Sequence, residues 1–380
     1  MPTQGADLIR WSYAHGSQFI DGLGDNFDPN YYANQSRDDG FAYGDLLRLD
    51  GRAMNIMMTS WDSGFAYDRA VNTSVRVTFD GIEQIYGSNG NDVFRAGAIT
   101  QALEGTRGVS FFGGGGNDNI ATSSFDDFVD PGDGNDVVFC GNGNDHVDAS
   151  RGNDTVNGGA GNDNIRWGGG DASWLAPGDD LLTGGDGHDL VNLWAHYGSG
   201  EGTPGTFVDI DVVRADGAMT GTGTVRVNEA GDTDTVRFRG FELGWTHEGN
   251  DTIDASGAEV RGEQGILWGA RWGNDQLTGS SGNDTLEGGP GTDTLRGGGG
   301  DDLITCGDSF YDLGAPGDGE TDTIIFRAGD GHDTISAFDA GLDILDLGGA
   351  SYEVTETSEG TLITLDASST ILIYGTYDIL

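Results

Sequence analysis

The apolar positions along residues 131–166 are sparse and regular. The stretch reads PGDGNDVVF, CGNGNDHVD, ASRGNDTVN and GGAGNDNIR, and the eighth place of each nonapeptide is Val138, Val147, Val156 or Ile165. Each unit predicts a glycine-rich turn of about six residues and a strand of three, whose single central side chain points inward. One apolar side chain in nine makes a poor core. At about 25 cal/mol per Å² it does not offset the roughly 1 to 2 kcal/mol of backbone entropy lost per residue, so something else has to hold such turns together.

The turn residues indicate what that is. Glycine permits the positive φ angles at which a turn aims several carbonyls at one point. The aspartate at place six adds a carboxylate, and a cluster of carbonyl and carboxylate oxygens suits a hard cation such as Ca²⁺. The same pattern recurs as GGGGNDNIA (113–121), GGDGHDLVN (184–192), GSSGNDTLE (279–287), GGPGTDTLR (288–296) and GGGGDDLIT (297–305). These residues resemble the RTX (repeats-in-toxin) family of calcium-binding nonapeptide repeats. The resemblance implies an all-β fold, a right-handed parallel β-roll in which two repeats complete one turn and Ca²⁺ ions lie between stacked turns on both edges. It implies Ca²⁺ ligands at Asp118, Asp136, Asp145, Asp154, Asp163, Asp189, Asp284, Asp293 and Asp302. Asp92, Asp251, Asp275 and Asp333 are further ligands in less regular turns.

Composition sharpens the expectation. Glycine supplies 69 of 380 residues, and a period of nine excludes collagen. Acidic residues number 63 against 18 basic ones, all arginine, for a net charge of −45. Such a charge opposes compaction until cations neutralise it, so the repeats are expected to be largely disordered without calcium. It also repels nucleic-acid phosphates and anionic membrane surfaces, and no stretch approaches the 18 apolar residues of a membrane span.

Longer repetition organises the chain. FAYGDLLRLDGRAM (41–54) aligns with FVDIDVVRADGAM (207–219), FDGIEQIYGSNGND (79–92) with FRGFELGWTHEGND (238–251), and DGLGDNFDP (21–29) reads as a degraded repeat. The expected organisation is an N-terminal segment at 1–20, one β-roll copy at 21–183, a second at 184–335, and a β-rich C-terminal cap at 336–380. The cap region resembles the closing region of RTX proteins exported by type I secretion, ending in Asp378, Ile379 and Leu380. That implies an extracellular or cell-surface protein of a Gram-negative bacterium. The N-terminus lacks the apolar run of a Sec signal.

Chemistry beyond the metal is thin. Cys140 and Cys306 stand where repeats begin with glycine, and two thiols form neither a disulfide framework nor a zinc site, so both are read as buried or free. His188 and His332 fill the fifth place of repeats as spacers. There is no HExxH and no GxSxG, which removes the serralysin-type protease and RTX lipase readings, and the repeats leave no room for a separate catalytic domain. NFDPNYY (26–32) resembles the Phe-Asp-Pro core of alginate epimerases but lacks its flanking residues. Trp167, Trp174, Trp268 and Trp272 either close the narrow core or stack on sugars. Three function classes follow: a non-enzymatic, self-assembling scaffold of a surface layer, filament or matrix; an adhesion module for extracellular polysaccharide; and a polysaccharide-modifying enzyme with an unrecognised site.

Overall fold

The computed structural model describes residues 8–11, 18–21, 46–49, 52–60, 62–69, 76–80, 82, 84–99, 107–168, 177–194, 204–226, 232–307 and 312–375. The chain divides into two compact units, Met1–Arg166 with Asp180–Gly187, and Trp167–Asp179 with His188–Leu380. Among the described residues all regular structure is strand, and no helix is long and apolar enough to cross a membrane. Residues 26–32, Trp174 and Asp378–Leu380 lie outside the described residues.

In the first unit successive strands alternate between two sheets. Gln84–Tyr86, Arg107–Phe112, Asp126–Asp130, His146–Asp148 and Asn164–Trp167 pair in parallel in one. Val93–Arg95, Asn119–Ala121, Val137–Asn142, Thr155–Ala160 and Asp180–Asp186 pair in parallel in the other. The register steps by eighteen residues, placing Val138 beside Val156 and Val147 beside Ile165. Two nonapeptides therefore complete one turn of a parallel β-roll. The eighth-place residues Ile120, Val129, Val138, Val147, Val156, Ile165 and Leu182 have no accessible surface. The roll's core is these columns, thickened where the repeats begin by Phe94 stacked on Phe111 at 4.2 Å.

The second unit repeats the scheme. Thr252 pairs with Gln276, Leu277 with Leu295, and Leu295 with Ile324 along one sheet. Leu286 pairs with Ile304, and Ile304 with Ile335, along the other. An antiparallel end of three strands, Glu353–Glu356, Gly360–Asp366 and Ser369–Tyr374, adds to His332–Ser336, as expected of a β-rich cap. Each unit also carries an antiparallel excursion: Met54–Met58, Gly64–Asp68 and Val77–Asp80 in the first, Pro204–Val213, Met219–Arg226 and Thr233–Phe241 in the second.

The two pairs of aligned stretches behave differently. Residues 79–92 and 238–251 both run from an excursion strand into the first Gly-Asn-Asp turn. Leu46–Leu49 pairs in parallel with Gln84–Tyr86, whereas Pro204–Val213 pairs antiparallel with Met219–Arg226 and in parallel with Asn250–Asp254 and Glu259–Val260. Alternating apolar residues suit either sheet, because the pattern defines a face and not a partner.

Stacked turns approach so closely that glycine is a steric requirement. Gly134 has φ +140, and a Cβ there would lie 1.9 Å from the Gly116 carbonyl oxygen of the adjacent turn. Gly134→Ala should lower the thermal stability of the calcium-loaded protein by more than about 1 kcal/mol, read by calorimetry. Gly97→Ala, where a Cβ meets nothing within 4 Å, should change it little.

Candidate metal centres

The sixth-place aspartates stack into columns along the edges of each unit. In the first unit, the Asp92 amide donates to Asp118 Oδ1 at 2.7 Å, Asp118 to Asp136 at 2.6 Å, Asp136 to Asp154 at 2.7 Å and Asp154 to Asp180 at 2.7 Å. On the opposite edge Asp127 donates to Asp145 and Asp145 to Asp163, each at 2.8 Å. In the second unit Asp251, Asp275, Asp293, Asp322 and Asp343 form one column by the same donation. Asp284, Asp302 and Asp333 form another. Asp189 is buried as well, and its amide donates to Glu242 Oε2 at 2.7 Å.

Each carboxylate thus spends one oxygen on the neighbouring turn. The other, Oδ2, is buried without a hydrogen-bond partner in Asp118, Asp136, Asp145, Asp154, Asp275, Asp293, Asp302 and Asp322. A buried oxygen of this kind leaves a full desolvation cost uncompensated. It lies against the glycine that opens its own turn: a Cβ on Gly113 would fall 2.3 Å from Asp118 Oδ2. The column is therefore a row of inward-facing carboxylate oxygens beside glycine turns, a donor set that fits hard divalent cations and not soft ones.

Electrostatics point the same way. Burial, reinforced by the neighbouring carboxylates, raises Asp118, Asp136, Asp275 and Asp333 to about 8 and Asp145, Asp154 and Asp293 to about 9. Burial likewise lifts Asp251 to about 8 and Asp302 and Asp322 to about 7. At neutral pH most of these groups would be held as acids unless positive charge is brought to them.

All thirteen aspartates singled out in the sequence are buried, and twelve join the four columns. Sequence reasoning missed Asp127, Asp180, Asp322, Asp343 and Glu242. Four of these sit at place six of TSSFDDFVD (122–130), LAPGDDLLT (175–183), GDGETDTII (317–325) and FDAGLDILD (338–346). The signal was the nine-residue frame itself, continued where glycines thin out. The fifth-place residues also do more than separate turns. The Asn117 amide donates to Asn91 Oδ1 at 3.0 Å, Asn135 to Asn117 at 3.1 Å and Asn153 to Asn135 at 3.0 Å, a second ladder running opposite to the aspartates. His332 takes part in a like ladder in the second unit, its amide donating to Asp301 Oδ1 and the Asp301 amide to Asn283 Oδ1.

Both cysteines are free and buried. Cys306 Sγ and carboxylate oxygens of Asp322 and Asp343 lie within 4.8 Å of one another. Burial and those carboxylates push the thiol pKa well above its ordinary value, which keeps the sulfur protonated beside an oxygen site.

The family model of the RTX calcium-binding nonapeptide repeat (4 copies) matches residues 77–98, 112–147, 141–172, 176–195 and 270–304. These segments contain eleven of the thirteen aspartates, all but Asp251 and Asp333. No curated protein matches the chain significantly.

Two outcomes follow. A folded-state carboxyl pKa raised from about 4 to between 6 and 9 means that the ion-free fold takes up protons the unfolded chain does not. Its stability is present at acidic pH and is lost as pH rises through that window. Circular dichroism in chelator should therefore show more β structure at pH 4.5 than at pH 8, with excess Ca²⁺ restoring it at pH 8. Asp154→Ala removes a buried oxygen and the acceptor for the Asp136 amide. It should lower the stability of the calcium-loaded protein by about 1 to 3 kcal/mol and raise the Ca²⁺ concentration at the folding midpoint, without abolishing folding. Both outcomes rest on what the columns and the match show together: the chain carries RTX calcium-binding nonapeptide repeats folded as a β-roll, and repeats of this kind bind Ca²⁺ at multiple sites.

Proposed function

We propose that the protein is an extracellular scaffold, folded by calcium and self-associating through the C-terminal end of its second unit. The observation that carries this reading is the state of the two sheet edges there. Ile344–Asp346 closes one sheet, pairing only with Thr323–Ile325 among the described strands, and Ile344 is 51% exposed. Glu353–Glu356 closes the other, every residue of it exposed, with Tyr352 and Val354 facing solvent. Open edges that carry apolar side chains are templates for strand addition by a second chain. The acidic residues among them, Glu353, Glu356 and Asp346, favour association only where cations screen the repulsion. RTX proteins are typically exported by type I secretion, and millimolar calcium outside the cell suits weak turn sites that a low cytosolic level leaves empty.

A second reading, adhesion to polysaccharide, is favoured by one aromatic cluster in the second unit. Trp194 stacks on His247 at 3.9 Å, His247 lies 5.4 Å from Trp272, and Arg271 covers Trp245 at 4.1 Å. Trp272 is 47% exposed, while Trp167 and Trp268 are wholly buried in the core. An exposed indole over a rigid roll is a surface on which a sugar ring can stack.

Sedimentation velocity with and without millimolar Ca²⁺ separates the two. The scaffold reading expects calcium-dependent oligomers that Ile344→Asp with Val354→Asp reduces at least tenfold. A calcium-loaded monomer at all concentrations overturns it. A monomer that is retarded in polysaccharide affinity electrophoresis, with the retardation lost in Trp272→Ala, establishes the second reading instead.

A further inference from the structure

Three turns depart from the column pattern in one shared way. In the sequences SNGND (88–92), SSFDD (123–127) and SSGND (280–284), a serine stands four residues before the column aspartate. The Ser88 amide donates to Asp92 Oδ2 at 2.6 Å, the Ser123 amide to Asp127 Oδ2 at 2.8 Å and the Ser280 amide to Asp284 Oδ2 at 2.7 Å. Each serine hydroxyl donates to the same carboxylate, at 2.9, 2.8 and 2.9 Å, and accepts the amide of the residue two places on. The oxygen left bare in turns such as those of Asp118, Asp145 and Asp293 is here fully satisfied by the chain itself, as Asp343 Oδ2 is by the Asp339 amide at the last turn of its column. Serine and aspartate are both buried in all three turns.

The cause is the backbone at place two. Glycine there has positive φ in the regular turns, +98 at Gly114, +92 at Gly132 and +109 at Gly141. Ser88, Ser123 and Ser280 do not adopt positive φ, and their amides meet the carboxylate. Ser150 is an internal control. It occupies place two of its turn with φ +65, donates its hydroxyl to Asp130 at 2.8 Å, and leaves Asp154 Oδ2 unpartnered.

The position of these turns is equally consistent. Each is the first of its column. Asp92, Asp127 and Asp284 accept amides from Met54, Val109 and Ile266, which belong to strands and not to aspartate turns. An ion there would have a repeat turn on one side only. We propose that these three turns do not bind Ca²⁺: the serine amide and hydroxyl take the place of the cation and close the open end of the column. Three of the four columns would then begin with a self-contained turn that needs no metal, anchoring the repeats where each column meets a strand amide instead of another aspartate turn. The milder rise of Asp92, Asp127 and Asp284, to about 6 against 8 or 9 for neighbours such as Asp118, Asp145 and Asp293, agrees with carboxylates already supplied with donors.

Native mass spectrometry of the full chain in Ca²⁺ tests this, with circular dichroism as the folding control. Asp293→Asn should lower the number of bound ions by at least one, whereas Asp284→Asn should leave it unchanged. The triple variant Ser88→Gly, Ser123→Gly, Ser280→Gly, which frees place two to adopt positive φ, should gain about one ion per restored turn. If Asp284→Asn loses an ion as Asp293→Asn does, these turns are ordinary calcium sites and the proposal is wrong. A folded triple variant with the parental ion count also overturns it. Should the triple variant fail to fold, the two aspartate variants still decide.

Discussion

The structure depends on carboxylates buried in register. An aspartate inside a protein is costly because it leaves water, and here each also faces a like charge in the turns above and below. The chain meets half of that cost by giving one oxygen of each group to a backbone amide of the adjacent turn. The remaining oxygen is what makes the fold conditional. With a divalent cation beside it, the column becomes alternating charge in a low-dielectric edge, and the attraction is strong for the same reason that the repulsion was.

Everything else in the roll is arranged around that edge. Many of the strands can be as short as three residues because they need only carry one aliphatic side chain into a narrow core and return to the opposite edge. The positive-φ glycines at places two and four of the regular turns let those turns stack with backbone in near contact, where an added Cβ would meet the neighbouring carbonyl. The asparagine ladder ties turns in the direction opposite to the aspartate ladder, so each turn is linked to its neighbours by two side chains as well as by the parallel strands. The net charge of −45 is the overall sum of the same design. It is a burden to the ion-free chain and a reservoir of ligands once calcium is present. Nearest-neighbour linkage of this kind makes stability nearly additive along the roll, so single lesions are tolerated and ends matter.

The ends are where the two units depart from regular repetition. At the beginning of each column the roll meets a strand that offers an amide but no carboxylate, and serine turns appear at three of those four junctions. At the far end of the second unit the sheets finish on exposed strands with apolar side chains. One kind of end is internally satisfied and the other is not, which is why association is placed at the latter.

The nine-residue frame by itself determined the fold class, the inward column of Val138, Val147, Val156 and Ile165, and a set of sixth-place aspartates that the structure buries along the edges of the roll. Those features are local: a turn and a three-residue strand fit within one period, and the period sets what stacks on what. The sequence also contained Asp127, Asp180, Asp322 and Asp343 in the same frame, but their turns lack the glycines that made the others conspicuous. Only the tertiary structure decided which aspartates share a column, since insertions such as the one before Asp180 change the spacing without breaking the stack. Only it distinguished Ser150 from Ser88, Ser123 and Ser280, because the difference is a backbone torsion set by the neighbouring turn. And it alone separated the strands at 46–49 and 204–213, whose similar patterns join different partners: alternation specifies a buried face, while the partner is chosen by whatever chain is brought alongside.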